Sequence, residues 1–170
     1  MTVLNLCYRY DPVLRKKAKK IKEIDPSILR LVEDMIDTMK AASGVGLAAP
    51  QIGKSLRIAV IQIPDEEVIV LINPEIVKRG GERCITEACL SVPGYYGEIT
   101  RSVWVKVKAL DKEGKEIRLK GEGLLAQALE HEIDHLNGIL YLDHLPNPEM
   151  LQKVTLPDNA GENNPIVSSN

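Results

Sequence analysis

Residues 123–138 read GLLAQALEHEIDHLNG, and within them His131 and His135 stand four apart with Glu132 between. This is the H-E-x-x-H spacing of a metal site carried on a helix. At about 100° per residue, positions four apart fall within roughly 40° of each other, one turn along the axis. Two imidazoles so placed converge on one divalent ion, and Glu132 reaches a water beside it. Leu124, Leu125, Ala128, Leu129 and Leu136 share the histidines' side, whereas Gln127, Glu130, Asp134 and Asn137 make an opposite, polar stripe. Asn137-Gly138 supplies a C-terminal stop. The stretch predicts an amphipathic helix that buries its histidine face in the core.

The ordinary alternative is a chance match on a solvated helix, and a metal site needs a third ligand. The extended form H-E-x-x-H-x-x-G-x-x-H reaches Gly138, but Tyr141 occupies the last histidine position. A downstream glutamate would be Glu149 or Glu162, both in a weakly patterned tail. His144 lies beyond the helix stop. Cys7, Cys84 and Cys89 are left, and a lone cysteine is more often a buried apolar filler than a ligand. On residue type any of the three qualifies. Cys89 lies in Glu87-Ala88-Cys89-Leu90-Ser91-Val92-Pro93, just ahead of a proline that ends a regular element.

At 170 residues the chain is most simply one domain whose core needs no staples. A formal charge of −2 speaks against bulk or specific nucleic-acid binding. No apolar run reaches the roughly 18 residues of a membrane span. Three cysteines are too few for a disulfide scaffold, and the N-terminal stretch lacks the apolar core of a secretion signal. A reducing compartment is expected: the cytoplasm of a bacterium or, second, an organelle matrix after processing.

Asp11-Pro12 and Asp25-Pro26 each read as an N-cap followed by proline at the first helical position. The first opens a basic segment with Arg15, Lys16, Lys17, Lys19, Lys20 and Lys22, most simply a solvated face. A transient ribosome contact is its functional alternative. The second opens a helix whose Ile28, Leu31, Val32, Met35, Ile36 and Met39 repeat as a core-facing stripe. Gly44-Val45-Gly46-Leu47-Ala48-Ala49-Pro50-Gln51 formally matches the G-x-G-x-x-A dinucleotide pattern. A helix precedes it, however, and Pro50 forbids one after it. A tight small-residue loop remains that a ligand's backbone can approach, with Gln51 as a polar donor at its end. Strands follow at 56–63, 68–72, 75–78, 103–108 and 117–119, separated by Pro64-Asp65, Asn73-Pro74, Gly80-Gly81 and Asp111–Gly114. Beyond Leu145 the pattern dissolves into a polar tail rich in proline, asparagine and serine.

Three motifs thus occur in order: G-x-G-L-A-A-P-Q at 44–51, E-x-C-L-S at 87–91 and H-E-x-D-H at 131–135. With them the chain resembles peptide deformylase over its core, roughly Tyr8 to Leu145. The resemblance implies one divalent metal ion per chain held by Cys89, His131 and His135, Fe2+ in the cell with Zn2+ or Ni2+ also accommodated. It implies that Glu132 moves protons and that Gln51 and the Leu90 N–H stabilise an oxyanion. The implied reaction removes the formyl group from the N-terminal formyl-methionine of newly made polypeptides and releases formate. The chemistry of these residue types agrees. A thiolate and two neutral imidazoles leave a divalent ion with an open position, and the ion makes hydroxide available near pH 7. Losing one oxyanion donor commonly costs about 10²–10³ in rate. Val45, Gly46, Leu124, Leu125 and Ala128 are candidates to line the methionine pocket. Gly46 can also let substrate backbone lie alongside as an added strand.

Where the family writes E-G-C-L-S, this chain has Ala88. A positive φ there would cost alanine roughly 1 kcal/mol and tilt Cys89, whereas a negative φ leaves a methyl filling space. Glu87 and Arg101 are expected to pair and brace the Cys89 loop. The long amphipathic C-terminal helix of some bacterial members is missing from the pattern. The expected fold is α+β, with antiparallel or mixed sheets packed around the metal-binding helix and two N-terminal helices. Residues 1–147 are expected to form the catalytic domain and 148–170 a flexible tail. A metallopeptidase, or a metal-binding homologue impaired through Ala88, is the alternative function.

Overall fold

The structure, a computed structural model, describes residues 1–155, so most of the expected tail, 156–170, lies outside the described residues. The first sheet is antiparallel, in the order β1 (Gly46–Ala48), β2 (Ile58–Ile61), β3 (Ile69–Gly80), β6 (Trp104–Leu110) and β7 (Glu116–Glu122). The second joins β4 (Arg83–Cys89), β5 (Val92–Arg101) and β8 (Gln152–Lys153), also antiparallel. With the helices α1 (Pro26–Ala41) and α2 (Gly123–Leu136), this is an α+β fold.

The first sheet is covered on both faces, and β2 shows how. All four of its residues are buried and they alternate. Ile58 and Val60 join Val32, Met35 and Met39 of α1, while Ala59 and Ile61 join Leu129, Ile133 and Leu136 of α2. Leu47 and Ala48 of β1 divide the same way. A strand buried on both faces reads as an unbroken apolar run. Asp25 caps α1 as expected, accepting from the Ser27 and Ile28 N–H groups at 2.8 and 3.0 Å.

The far end of α2 is closed from several sides. Gly138 takes φ 74°, and the Ile139 N–H returns to the Asp134 carbonyl at 2.9 Å. A side chain at 138 would press into the Arg15 carbonyl, so space as well as φ requires glycine there. Buried Arg57 donates to the Leu136 carbonyl at 2.9 Å and to Asn137 Oδ1 at 3.0 Å. A guanidinium therefore satisfies an open carbonyl at the negative end of the helix.

The first of the two expected N-terminal helices is a single 3-10 turn, Pro12–Arg15, because only Leu14 is buried to hold it. The runs 68–72 and 75–78 are one strand, β3, which crosses Asn73-Pro74 on a register shift. Asn73 takes φ 51° there, and its side chain bonds both the N–H and the carbonyl of Ile21 at 2.8 Å. The loop at 44–51 contains β1 and the 3-10 turn Ala49–Ile52. The hairpin of β4 and β5 had no apolar alternation strong enough to announce it. The polar stripe of α2 is only partly solvated, with Asn137 exposed and Gln127 and Asp134 half-buried. Glu130 is buried, accepting from the Ser102 N–H at 2.9 Å and the Ser102 hydroxyl at 2.7 Å, while Leu124 on the opposite stripe is exposed. Of the tail, Leu151 packs with Cys89, Val92, Ile99 and Tyr141, and Gln152–Lys153 form β8.

Leu129, fully buried, joins α2 to the first sheet. Leu129→Ala is expected to lower stability by about 2–5 kcal/mol in urea denaturation. A loss below about 1 kcal/mol would contradict this docking.

Candidate metal centre

Cys89 ends β4 and enters the turn Leu90-Ser91, and Val92 beyond the turn pairs back with Cys89. This brings the sulfur to the face of α2. Cys89 Sγ lies 3.3 Å from His135 Nε2, which lies 3.2 Å from His131 Nε2. The three atoms fall within 4.8 Å of one another. A tetrahedral ion with bonds of about 2.0–2.1 Å to imidazole and about 2.3 Å to thiolate spans edges of roughly 3.3–3.6 Å. The donor set therefore fits a first-row divalent metal with one position open.

Two of the three candidate ligands, His131 and Cys89, are aimed by a neighbour. His131 Nδ1 meets Glu87 Oε1, and Glu87 is only 3% exposed. Arg101 grips that carboxylate with both arms, Nε to Oε2 at 3.0 Å and Nη2 to Oε1 at 2.5 Å. The expected pair is present, and it extends further. Arg101 Nη1 donates to Asp134 Oδ2 at 2.6 Å, and the same oxygen lies 2.8 Å from His144 Nε2. Burial alone pushes the Glu87 carboxyl up, but His131 and Arg101 outweigh it and hold it at about 2. Burial likewise opposes charge on Arg101, yet Glu87 and Asp134 raise it above its ordinary value. A carboxylate so held fixes both the tautomer and the orientation of the histidine ring.

The sulfur is placed by the Ser91 N–H at 3.4 Å and by Gln51 Nε2 at 3.7 Å. Gln51 is buried, and its Oε1 accepts the Ala48 N–H at 2.9 Å. That bond turns the amide nitrogen toward Cys89 and the Ser91 hydroxyl, the latter at 3.2 Å. Leu90 packs its side chain over Gly44, where an added carbon would lie 2.8 Å from Leu90 Cδ1. The two motif loops thus hold each other.

Glu132 is buried beside the ligands, and burial raises its carboxyl to about 7 against the pull of His131. Any side-chain carbon at Gly46 would run into that carboxylate, so the close approach requires glycine. Glu132 Oε2 and His135 Nδ1 are buried without a hydrogen-bond partner among the described residues. Buried polar atoms are rarely left so; the Glu132 oxygen stands on the cavity beside the donor set, whereas His135 Nδ1 is on the side of the ring away from its ligand nitrogen Nε2. Burial, reinforced by His131, keeps His135 well below the usual imidazole value, whereas Cys89 and Glu87 outweigh burial and hold His131 above it.

A cavity of about 440 Å³ opens onto this group. Val45, Gly46, Leu124 and Ala128 line it, as does Gln51. Leu125 does not. It packs against the α2 core cluster beside Gly121, on the next face of the helix. Ala88 takes no positive φ and lines the cavity, so alanine carries no backbone penalty there. Tyr141 stands where the extended motif would place a histidine. It is buried, with its ring stacked on His131 at 6.5 Å between centroids. Burial beside Cys89 and Glu87 raises its hydroxyl to about 12. Tyr95 and Val154 also line the cavity, and neither carried a sequence signal.

The model of the polypeptide deformylase family matches residues 3–150. The chain belongs to that family. A peptide deformylase of Dehalococcoides mccartyi (strain CBDB1) is 54% identical over 163 residues, covering 95% of this chain and 98% of that protein. The crystal structure of a peptide deformylase from Legionella pneumophila superposes with a TM-score of 0.85 at 51% identity, covering 88% of this chain and 89% of that one. A peptide deformylase from Synechococcus elongatus, in complex with actinonin, gives a TM-score of 0.83 at 40% identity, covering 86% and 81%. The chain is accordingly an enzyme, a metal-dependent hydrolase that removes the formyl group from the N-terminal formyl-methionine of newly made polypeptides, releasing formate. Among the described residues no helix is long and apolar enough to cross a membrane.

Arg101→Ala leaves Glu87 buried without its guanidinium. It is expected to cost about 3–5 kcal/mol of stability and to weaken metal retention about 10–100-fold, read by urea melts and metal titration. Unchanged values for both would rule out the bracing role.

Proposed function

We propose that Cys89, His131 and His135 hold the divalent ion on which hydrolysis depends, and that Glu132, Gln51 and the Leu90 N–H do the rest. The support is the meeting of three convergent ligand atoms with a buried carboxylate and a buried amide on one apolar cavity. An ion bound there supplies Lewis acidity that activates water and polarises the formyl carbonyl.

The chain's own residues supply binding, donors and proton transfer. β1 is an edge strand, and its free side lets the substrate backbone lie along Gly46 as an added strand. Val45, Leu124 and Ala128 take the methionine side chain, which sets the formyl carbon toward Glu132 and Gln51. Glu132, near neutrality, accepts the proton of the attacking water as the oxygen adds to the formyl carbon. Gln51 Nε2 and the Leu90 N–H donate to the oxyanion. The Ala48 bond to Gln51 and the tight hairpin hold those donors in place before the charge forms. Glu132 then passes its proton to the departing amine nitrogen. The C–N bond breaks, leaving formate and a free methionine N-terminus.

We assign Fe2+ as the ion in the cell. A thiolate with two imidazoles also accepts Zn2+ or Ni2+. The substrate is a nascent chain, and the exposed Lys16, Lys17, Lys19, Lys20 and Lys22 offer a charged face for transient ribosome contact. The bacterial cytoplasm is the compartment we favour, since the free Cys7, Cys84 and Cys89 suit a reducing medium.

Protein purified without oxygen should release formate from a formyl-methionyl peptide and leave the unformylated peptide intact. Glu132→Gln is expected to keep its metal and to lose at least about 10²-fold in turnover, whereas Cys89→Ala should lose the metal. The Fe2+ form should fail in air sooner than the Zn2+ form. Wild-type turnover by Glu132→Gln, or stoichiometric metal in Cys89→Ala, would refute the assignment.

A further inference from the structure

His144 is the one histidine outside the candidate ligand group of Cys89, His131 and His135. It ends the 3-10 turn Tyr141–His144, and its Nε2 lies 2.8 Å from Asp134 Oδ2. A carboxylate only accepts, so Nε2 carries a proton and donates it to that bond. Arg101 Nη1 donates to the same oxygen at 2.6 Å. These two donors are the only side-chain partners of Asp134 among the described residues. Where the Asp134 carboxylate points is therefore settled jointly by a guanidinium from β5 and an imidazole from the turn.

Two routes lead from this bond to His131. The first runs through Arg101. A second cavity, of about 600 Å³, is lined by Arg101, Asp134 and His144 together with Arg79 and Glu82. Released by His144, Asp134 could turn into that space and be solvated there. Arg101, buried, would then lose one of its two anionic partners and leave an N–H without an acceptor. Its other partner is Glu87, the carboxylate that meets His131 Nδ1. The second route runs through the turn itself. Its first residue, Tyr141, stacks its ring on His131, and its last, His144, supplies the turn's side-chain bond to α2. Loosening His144 thus loosens both the carboxylate that orients the His131 ring and the ring that backs it.

We propose that His144 is a positioning residue for the metal centre: its Nε2–H holds Asp134 on Arg101, which keeps Glu87 and hence His131 in the ligating geometry. This rests on the assignment of His131 as a ligand above. Groups that orient a metal-bound histidine act on metal retention and on the chemical step, even though they touch neither ion nor substrate. His144 does not line the substrate cavity, so substrate binding is not its concern. What matters is the donated bond and not the ring. A glutamine side chain presents an amide N–H at a similar reach, whereas leucine fills the space without a donor.

The test compares His144→Leu and His144→Gln with wild type in the full, Zn2+-loaded chain. The His144 side chain is 35% exposed, so neither change opens the core. Three readouts are taken: Zn2+ loss to a chelator, the proton resonance of His131 Nδ1–H, and kinetics on a formyl-methionyl peptide. His144→Leu should lose Zn2+ about tenfold faster, move or broaden the His131 resonance, and lower kcat about tenfold with KM unchanged. His144→Gln should recover most of each loss. Wild-type Zn2+ retention and an unmoved resonance in His144→Leu overturn the proposal. So does a His144→Gln protein as impaired as His144→Leu, since packing and not the donated bond would then be at work. A His131→Ala protein that keeps stoichiometric Zn2+ overturns the ligand assignment itself, and this proposal with it.

Discussion

The Glu87 carboxylate is charged and buried, and that constraint organises the site. An ionised carboxylate removed from water is tolerated only when its oxygens are bonded and its charge is met. Arg101 meets it from β5 and His131 from α2, so one side chain of β4 ties together three elements. The guanidinium is also committed to Asp134 on α2, three residues from His131. The orientation of the metal-binding helix against the second sheet is thereby set by charge-assisted bonds, while its orientation against the first sheet is set by apolar packing.

The cavity follows from how the two sheets meet. β1 is an edge of the first sheet, and the β4–β5 hairpin of the second sheet opens just past Cys89. Between them runs a channel with unpaired backbone on the β1 side. Gly46 lets Glu132 approach that edge, and Gln51 turns its amide toward the sulfur. Gln51, Cys89 and His131 are held by backbone and buried bonds, the preorganisation that the proposed catalysis requires.

Much of this was legible in the residues, and the rest fails for identifiable reasons. The histidine helix and its Asn137-Gly138 stop, the Asp25 cap and the core stripe of α1 are local patterns, and they fold as read. The Glu87–Arg101 pair was inferred because a carboxylate beside a metal needs a counter-charge. Long-range effects were not legible. The polar stripe of α2 looked solvated, yet Glu130 and Asp134 are satisfied by Ser102 and Arg101 from a distant hairpin, so polarity alone misjudged burial. Leu125 belonged by composition to the pocket but faces the sheet. The β4–β5 hairpin lacks alternation because Glu87, Gly97 and Arg101 occupy its inner face for the sake of the site. β8 is too short to announce itself, and its pairing with the opened strand brings the next residue, Val154, to the cavity.

The central claim is that one sulfur and two imidazoles converge on a single ion. Metal K-edge X-ray absorption of the loaded enzyme tests it most directly. The account predicts one metal–sulfur distance of about 2.3 Å together with two imidazole shells at about 2.0–2.1 Å. A spectrum without sulfur in the first shell, or with a single imidazole, would contradict it.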